Sequence, residues 1–169
     1  MIFNEQPKSQ PISKLQVQEA FKRVKANKGA SGVDGVTIEA VTKNTRKYLY
    51  PMWNRMASGS YYPKAVRQVL IPKGDGKMRP LGIPTIVDRV AQQVIATELE
   101  QIVEEHFHPS SFGYRPNKSA HDAIEECRIN SMKYSWVIDL DIKGFFDNID
   151  HELLLKAVQF YTQEKHILM

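Results

Sequence analysis

The spacing of apolar residues changes twice along the chain, and this change constrains the fold more than any other feature. After Ser13 they recur every three or four positions, as on one face of a helix, at Leu15, Val17, Phe21 and Val24. Two runs of strand-forming residues, Val66–Pro72 and Met78–Ile83, then flank Gly74-Asp75-Gly76, a combination typical of a β-hairpin. Helical spacing returns afterwards. The pattern predicts an α+β fold that is rich in helices and contains one hairpin.

Polar residues mark where further helices begin. Thr37 can cap a second helical stretch, and Pro51 should break or restart that stretch near Tyr50 because proline lacks a backbone N–H. Thr85, with Asp88 three positions later, predicts the start of a long amphipathic helix.

The last third is predicted to hold two more helices and a strand. Ser119 caps the first of these helices, whose inward face is expected to carry Ala123, Ile124 and Cys127. Residues 136–142 form a short apolar strand in this prediction. Asp150 caps a final helix that is expected to reach Met169 without a stop signal, so the chain would end inside an element.

The charge of the 169-residue chain is unevenly distributed. Residues 1–89 hold 16 lysines and arginines against 6 acidic residues, whereas residues 90–169 hold 7 against 13. A basic first half is typical of a protein with a polyanionic partner. A solvated surface with unevenly spread lysines explains the same numbers equally well.

Composition excludes several classes of protein. No apolar run approaches the ~18 residues of a membrane-spanning helix, so no membrane partner is expected. Cys127 is the only cysteine, which excludes an intrachain disulfide and a thiolate-rich metal site. The N-terminus lacks the apolar core of a secretion signal, so a cytoplasmic location is expected.

Three cations, Lys73, Lys77 and Arg79, crowd onto the predicted hairpin. Like charges on neighbouring strands repel one another unless an anion compensates them. A triphosphate or a nucleic-acid backbone would serve, because arginine offers a bidentate fork and lysine a point charge. Alternatively, the hairpin tip is simply exposed to solvent and binds no anion.

Two carboxylates, Asp139 and Asp141, lie two residues apart in the predicted strand and therefore point to the same face. Carboxylates on an apolar strand are costly unless a cation or hydrogen bonds compensate them. Mg²⁺ is the natural cation because it prefers oxygen ligands and acts together with phosphates. Alternatively, the strand ends there, and one aspartate meets solvent or caps the next turn.

A loop at residues 111–119 interleaves the aromatic residues Phe112 and Tyr114 with the cations Arg115 and Lys118. Such a loop can stack bases and neutralise phosphates. An ordinary connector, with one aromatic ring inserted into the core, is equally consistent with the pattern.

Taken together, four segments resemble one family, the reverse transcriptases encoded by bacterial group II introns, also called maturases. In chain order they are KANKGASGVDGVTIE, GSYYPKAVRQVLIPKGDGKMRPLGIPTIVDRVAQQ, SSFGYRPNKSAHDAI and WVIDLDIKGFFDNIDH. The resemblance implies polymerase fingers followed by the start of a palm. It divides the chain into a loose leader at residues 1–12, a helical N-terminal extension at 13–60, the fingers and start of the palm at 61–133, and the first palm strand with its following helix, an incomplete palm, at 134–169.

The resemblance also implies roles for single residues. Asp141 matches the first catalytic aspartate of the palm, and the backbone carbonyl of Ile142 matches a neighbouring metal ligand. Lys73 and Arg79 match finger residues that grip the incoming deoxynucleoside triphosphate (dNTP). Phe146 matches the bulky residue beneath the sugar that excludes a ribose 2′-hydroxyl.

Nucleic-acid contacts are implied as well. Arg115 lies in the segment that matches the family's template contact, and Lys77, Tyr114 and Lys118 are expected to bind nucleic acid with it. The block before Gly59 resembles the extension that binds template and intron RNA. The implied partners are group II intron RNA, an RNA template, a DNA primer and dNTPs, and a homodimer remains open.

The implied activity is RNA-directed DNA polymerisation, with a maturase role in splicing and retrohoming. Two Mg²⁺ ions would bridge the triphosphate and the primer 3′-hydroxyl, while Lys73 and Arg79 neutralise charge on the phosphates. Members of the family carry a later Tyr/Phe-x-Asp-Asp box and a thumb, which this sequence does not contain. One matched carboxylate, Asp141, cannot hold two Mg²⁺ ions, so the chain alone is expected to bind RNA without polymerising.

Two other functions suit parts of the pattern. An RNA-binding splicing cofactor that does not synthesise DNA explains the basic first half equally well. A phosphatase could use Asp139 as nucleophile and Asp141 as acid and base, but such a strand usually opens its domain, whereas Asp139 lies late in this chain.

Overall fold

The computed structural model describes residues 10–72, 74 and 76–168. The chain divides into two compact units, Met1–Leu99 with Glu164–Met169, and Glu100–Gln163. The elements are α1 (Lys14–Ala26), α2 (Ile38–Lys43), α3 (Thr45–Ala57), β1 (Arg67–Pro72), β2 (Met78–Ile83), α4 (Ile86–Val103), α5 (Ala120–Ser131), α6 (His151–Tyr161) and α7 (Lys165–Leu168), with 3₁₀ turns at Glu104–His106 and Phe146–Asn148.

The core of the first unit is built from α1, α2, α3 and the first half of α4. The predicted helix after Ser13 is confirmed, and α1 buries Val17, Phe21 and Val24. Leu15 was expected on the same face, but its side chain is 64% exposed. Two residues correspond to about 200° of helical rotation, so Leu15 points away from the face that Val17 defines.

The predicted helix starts are confirmed by their capping hydrogen bonds. The side chains of Ser13, Thr37, Ser119 and Asp150 each accept a hydrogen bond from a backbone N–H in the first turn of α1, α2, α5 and α6, respectively. Thr85 accepts one at the start of α4. Each cap satisfies a donor that the helix itself leaves without a partner.

The prediction that Pro51 breaks or restarts a helix near Tyr50 is wrong. The break comes earlier, at Asn44, whose backbone is not helical (φ −145°, ψ 66°) and whose side chain caps α3 by accepting from Lys47 N–H at 3.1 Å. The helix α3 then runs through Pro51 and buries Met52 and Met56 beyond it. An internal proline costs about 3 kcal/mol. Burying these two side chains contributes about 1.5–3 kcal/mol each, which offsets that cost.

The predicted hairpin is confirmed. Strands β1 and β2 pair antiparallel, in a register that runs from Arg67 opposite Ile83 to Pro72 opposite Met78. Gly76, in the connecting turn, has φ +77°, a conformation that glycine adopts without strain. The only change from the prediction is that β1 begins at Arg67 rather than Val66.

In the second unit, the predicted inward face of α5 is wrong at two positions. Ile124 is 65% exposed and the Cys127 side chain is also exposed, while Ala123 is half-buried. In this unit α5 has no fully buried residue, so its apolar side chains stay at the surface.

The predicted strand at residues 136–142 is also wrong, because this segment has no regular secondary structure. Its apolar side chains are exposed, with Trp136 at 89% and Leu140 at 88%. A strand needs a neighbour to pair its N–H and C=O groups. Among the described residues the only sheet is the β1–β2 hairpin, so nothing pairs with this segment.

The final helix is shorter than predicted. The helix α6 ends at Tyr161, and Thr162 takes an extended backbone with φ −148° and ψ 143° before the short α7. Threonine is β-branched and favours this extended conformation over a helical one. Across the described part of the chain, no helix combines the length and apolar character that crossing a membrane requires.

Candidate nucleotide and nucleic-acid interface

The hairpin carries two of the three predicted cations into solvent. Arg79 pairs with Ile71 across the sheet, and its side chain is exposed. Lys77, just before β2, is exposed as well. Lys73 lies outside the described residues. Because directly opposed residues share one face of a hairpin, Arg79 lies on the same face as Ile71.

A buried carboxylate clamps the base of this hairpin. Asp88 is 3% exposed and accepts hydrogen bonds from the hydroxyl of Tyr61 and, at 2.6 Å, from that of Thr85. The backbone N–H of Lys64 also points to both of its oxygens at 3.4 Å. Lys64 precedes β1 and Thr85 follows β2, so Asp88 ties both legs of the hairpin to the start of α4.

The environment of the clamp perturbs Tyr61. Burial raises the pKa of the Tyr61 phenol well above its ordinary value, and the hydrogen bond to Asp88 raises it further. The phenol therefore stays protonated and keeps donating to the carboxylate. Sequence reasoning recognised the spacing of Thr85 and Asp88 as a cap, but nothing in that spacing signals a partner 27 residues away.

The glycine-rich loop between α1 and α2 lies against the same end of α4. A Cβ on Gly32 would stand 2.7 Å from the backbone N and Cα of Thr85, so only glycine fits this approach. The loop is also tied to α4 by Arg89, whose guanidinium donates to the carbonyl of Ala30. The close approach to Thr85 explains the glycine at position 32 of the KANKGASGVDG segment.

A groove of about 530 Å³ separates α1 from α3. Trp53 and Tyr50 line it, and the Nζ of Lys14 lies 4.7 Å from the Trp53 ring centroid and 5.9 Å from that of Tyr50. Lys22 and Arg46 add positive charge to the same lining. Aromatic rings with cations above them form a surface on which bases can stack. Sequence reasoning did not single out these residues.

In the second unit, Arg115 turns into its own loop. Its guanidinium donates to Glu104 Oε1 from Nε at 3.0 Å and from Nη2 at 2.8 Å. Its Nη1 donates to the carbonyls of His108 and Ser111, both at 2.8 Å. With its side chain only 10% exposed, Arg115 organises the loop, and its template contact stays a prediction.

The same loop presents Tyr114 to solvent. This residue is fully exposed and has φ +56°, an uncommon conformation for a bulky side chain. Lys118 is partly occupied, since its Nζ donates to the carbonyl of Pro109 at 3.1 Å and lies 5.0 Å from the Phe112 ring centroid. Tyr114 is thus the aromatic ring of this loop that is open to a stacking partner.

The predicted catalytic segment lies open to solvent. Asp139 and Asp141 are exposed, as are Ile142 and, at 83%, Phe146. The Phe146 ring packs edge-on against Phe145 at 5.3 Å between centroids. Within the described ranges, no three His, Cys, Asp or Glu side chains come together as a metal site. These residues alone therefore do not build a Mg²⁺ site.

Comparison with known proteins gives a consistent result. Residues 71–169 match the family model for reverse transcriptase (RNA-dependent DNA polymerase). The chain is 38% identical to Protein YkfC of Escherichia coli (strain K12), over 83% of this chain and 39% of that protein. It is 36% identical to group II intron-encoded protein LtrA of Lactococcus lactis subsp. cremoris, over 86% of this chain and 24% of that protein.

More distant relatives agree with this result. The putative COX1/OXI3 intron 1 protein of Saccharomyces cerevisiae is 33% identical, over 86% of this chain and 17% of its own length. This chain thus spans well under half the length of these relatives. The resemblance to reverse transcriptases of group II introns is confirmed, and the chain belongs to the reverse transcriptase (RNA-dependent DNA polymerase) family.

Proposed function

We propose that this chain supplies the fingers and the start of the palm of a group II intron RNA-directed DNA polymerase that also binds intron RNA as a maturase. The carrying observation is the exposed Arg79 on a hairpin whose two legs Asp88 holds at the base. An exposed arginine to which no described carboxylate is paired suits the triphosphate of a dNTP. The family match over residues 71–169 supports this assignment.

The other site residues take the following parts in the proposal. Lys73 acts with Arg79 on the triphosphate, and Phe146 lies beneath the sugar. Lys77 and Tyr114 contact nucleic acid, and the exposure of Tyr114 supports a stacking role. RNA template, DNA primer and intron RNA are the proposed partners, and residues 13–60 form the proposed RNA-binding extension.

For Mg²⁺, we propose only part of the ligand set. Asp141 and the carbonyl of Ile142 would supply part of the oxygen ligand set that Mg²⁺ prefers. Because one side chain cannot complete that set, the 169-residue chain alone is expected to bind RNA but to extend no primer.

The experiment is primer extension on an RNA template by a hybrid in which this chain replaces the matching segment of LtrA. Asp141→Asn should abolish DNA synthesis. Asp139→Asn removes the same charge two residues away and is the matched control, expected to retain most of the activity. Equal loss in both variants would contradict the assignment of Asp141.

A splicing cofactor without DNA synthesis is the second candidate. The groove between α1 and α3 favours it, because the aromatic rings and cations there can bind RNA independently of any polymerase site. A folded hybrid that promotes intron splicing but extends no primer would establish this function and contradict the polymerase.

A further inference from the structure

A cavity of about 440 Å³ lies in the first unit, between the end of α3, the middle of α4 and the short α7. Aliphatic side chains, a proline and Met56 form most of its lining. Its polar groups come from Tyr61, Asp88, Gln92 and His166. It shares no lining residue with the groove between α1 and α3. Cavities of about 300–1,000 Å³ that are mostly apolar and carry a few polar groups are typical of small-molecule sites.

His166 is the informative member of this lining. Its side chain is 1% exposed, and its Nε2 lies 2.7 Å from Glu98 Oε1. Because a carboxylate only accepts hydrogen bonds, Nε2 carries the proton, and Nδ1 of the neutral ring is then an acceptor. This Nδ1 is buried and has no hydrogen-bond partner among the described residues. The Oε2 atom of Glu164, 3.7 Å from it, is another acceptor and does not satisfy it.

The orphaned Nδ1 indicates what the cavity lacks. A buried acceptor without a donor is costly, and a ligand that brings an O–H into the cavity removes that cost. The hydrogen bond to Glu98 holds the imidazole ring in place before any ligand arrives. This reduces the ordering cost of binding.

Asp88, the other buried polar group of the lining, restricts the charge of the ligand. Its oxygens already accept from the hydroxyls of Tyr61 and Thr85 and from the backbone N–H of Lys64. It therefore has little to offer a ligand ammonium, while its negative charge repels an anion. No lysine or arginine is among the described residues that line the cavity. The lining thus favours an uncharged donor.

The apolar part of the lining suits an aromatic body. Met56 is 6% exposed, and its flexible thioether makes favourable contacts with aromatic rings. The ring of Tyr61, whose hydroxyl is held by Asp88, offers a second surface for offset or edge-on packing. Both side chains line the cavity together with His166.

We infer that this cavity binds an uncharged phenol, whose hydroxyl donates to Nδ1 of His166 and whose ring packs against Met56 and Tyr61. A phenol combines the one donor that the cavity lacks with an aromatic body and no charge. The inference goes beyond the proposed function and does not depend on it, because no nucleic acid takes part in the binding.

The test measures binding of three probes to the 169-residue chain by NMR titration. The first probe, 2-naphthol, carries the hydroxyl. In 2-methylnaphthalene a methyl group of similar size replaces it, and 2-naphthoate carries a negative charge instead. We expect 2-naphthol to give nuclear Overhauser contacts to the methyl group of Met56. We also expect it to move the nitrogen resonance of His166 Nδ1 upfield, as accepting a hydrogen bond does, whereas 2-methylnaphthalene should leave this resonance in place.

A pair of variants isolates the imidazole. Glu98→Gln is the matched control, because the amide oxygen still accepts from Nε2, and nitrogen NMR checks the tautomer. Combining Glu98→Gln with His166→Phe removes Nδ1 but keeps an aromatic ring in its place. From the control to the double variant, the preference for 2-naphthol over 2-methylnaphthalene should fall about threefold to tenfold, the worth of one neutral hydrogen bond. If the double variant does not fold by circular dichroism, the Nδ1 shift in the unmodified chain decides.

Four results would overturn the inference. The first is an unchanged preference in the folded double variant, and the second is an Nδ1 resonance that 2-naphthol does not move. The third is binding of 2-naphthoate as tight as that of 2-naphthol, which would indicate an anion site. The fourth is contacts of 2-naphthol to Trp53 rather than Met56, which would place the probe in the groove between α1 and α3. Each of these results leaves the polymerase proposal to be decided by primer extension.

Discussion

Replacing Asp88 should destabilise the first unit more than any surface substitution, because three donors converge on this carboxylate. In Asp88→Ala the hydroxyl of Thr85, which is completely buried, and that of Tyr61 lose their acceptor. Hydrogen bonds to a charged group contribute about 1.5–3 kcal/mol each. Removing the buried charge recovers part of this sum. We expect a net loss of about 3 kcal/mol in the free energy of unfolding, from the charge-assisted bonds less that recovery.

Asp88→Asn should cost less, about 1–2 kcal/mol, because the amide keeps the shape and one acceptor oxygen. Glu19→Gln is the matched control, since Glu19 forms an ion pair with Lys22 at an exposed helix surface. An exposed pair of this kind contributes under about 1 kcal/mol. Burial and hydrogen bonding therefore predict that the loss in free energy of unfolding is largest for Asp88→Ala, smaller for Asp88→Asn and smallest for Glu19→Gln.

Tryptophan fluorescence during urea unfolding reports the stability of the first unit, which contains Asp88. Of the two tryptophans, Trp53 packs against the core of the first unit, whereas Trp136 is 89% exposed and should change little on unfolding. With a slope of about 1–3 kcal/mol per M urea, the midpoint of Asp88→Ala should fall by at least about 1 M. A midpoint equal to that of Glu19→Gln would refute the clamp.

Three further predictions concern other contacts. Above pH 10, the ordinary pKa of tyrosine, Tyr61 ionises in the unfolded chain but stays neutral in the folded one, so the free energy of unfolding should fall as pH rises. The difference in that free energy between the unmodified chain and Tyr61→Phe, measured by urea unfolding, should therefore shrink above pH 10. A difference that stays constant would contradict the raised pKa. Gly32→Ala should cost about 1–3 kcal/mol by thermal or urea unfolding because its Cβ meets backbone, while Gly113→Ala, with nothing within 4 Å, should be nearly neutral. Hydrogen bonds from Ser119 hold the pKa of Asp122 below its ordinary value. The stability that these bonds contribute is therefore present above the ordinary pKa and is lost as pH falls through the lowered pKa. Ser119→Ala should raise the pKa of Asp122 in an NMR titration, and an unchanged pKa would exclude the Ser119 cap as the cause.

Local signals predicted most of the secondary structure correctly. The caps at Ser13 and Asp150 and the hairpin depend on residues close in sequence, so their physics is visible in a short window. Pro51 was misjudged because burial beyond it, a tertiary effect, outweighs the local cost. The strand at residues 136–142 was wrong because pairing depends on a neighbour, which its own composition cannot reveal.

In the candidate site, too, local sequence predicted some residues, and long-range contacts determined others. The cations of the hairpin were visible because Arg79 follows a recognisable turn. Asp88 was predicted only as part of a helix start with Thr85, and its role as a clamp was missed because its partner Tyr61 lies 27 residues away. Arg115 was expected to face a ligand, but the carbonyls and the glutamate of its own loop compete for the guanidinium. Residue type and spacing indicate chemistry, and long-range contacts decide which groups remain available.

The exposed segment at residues 136–142 has a consequence for the behaviour of the chain in concentrated solution. Apolar, β-branched and aromatic side chains without a pairing partner favour intermolecular β-sheet formation and aggregation. Asp139 and Asp141 interrupt this run with negative charge and act as gatekeepers against self-association. Added salt weakens their mutual repulsion between chains. Light scattering should therefore increase with ionic strength, and it should increase further when both aspartates are replaced by asparagine.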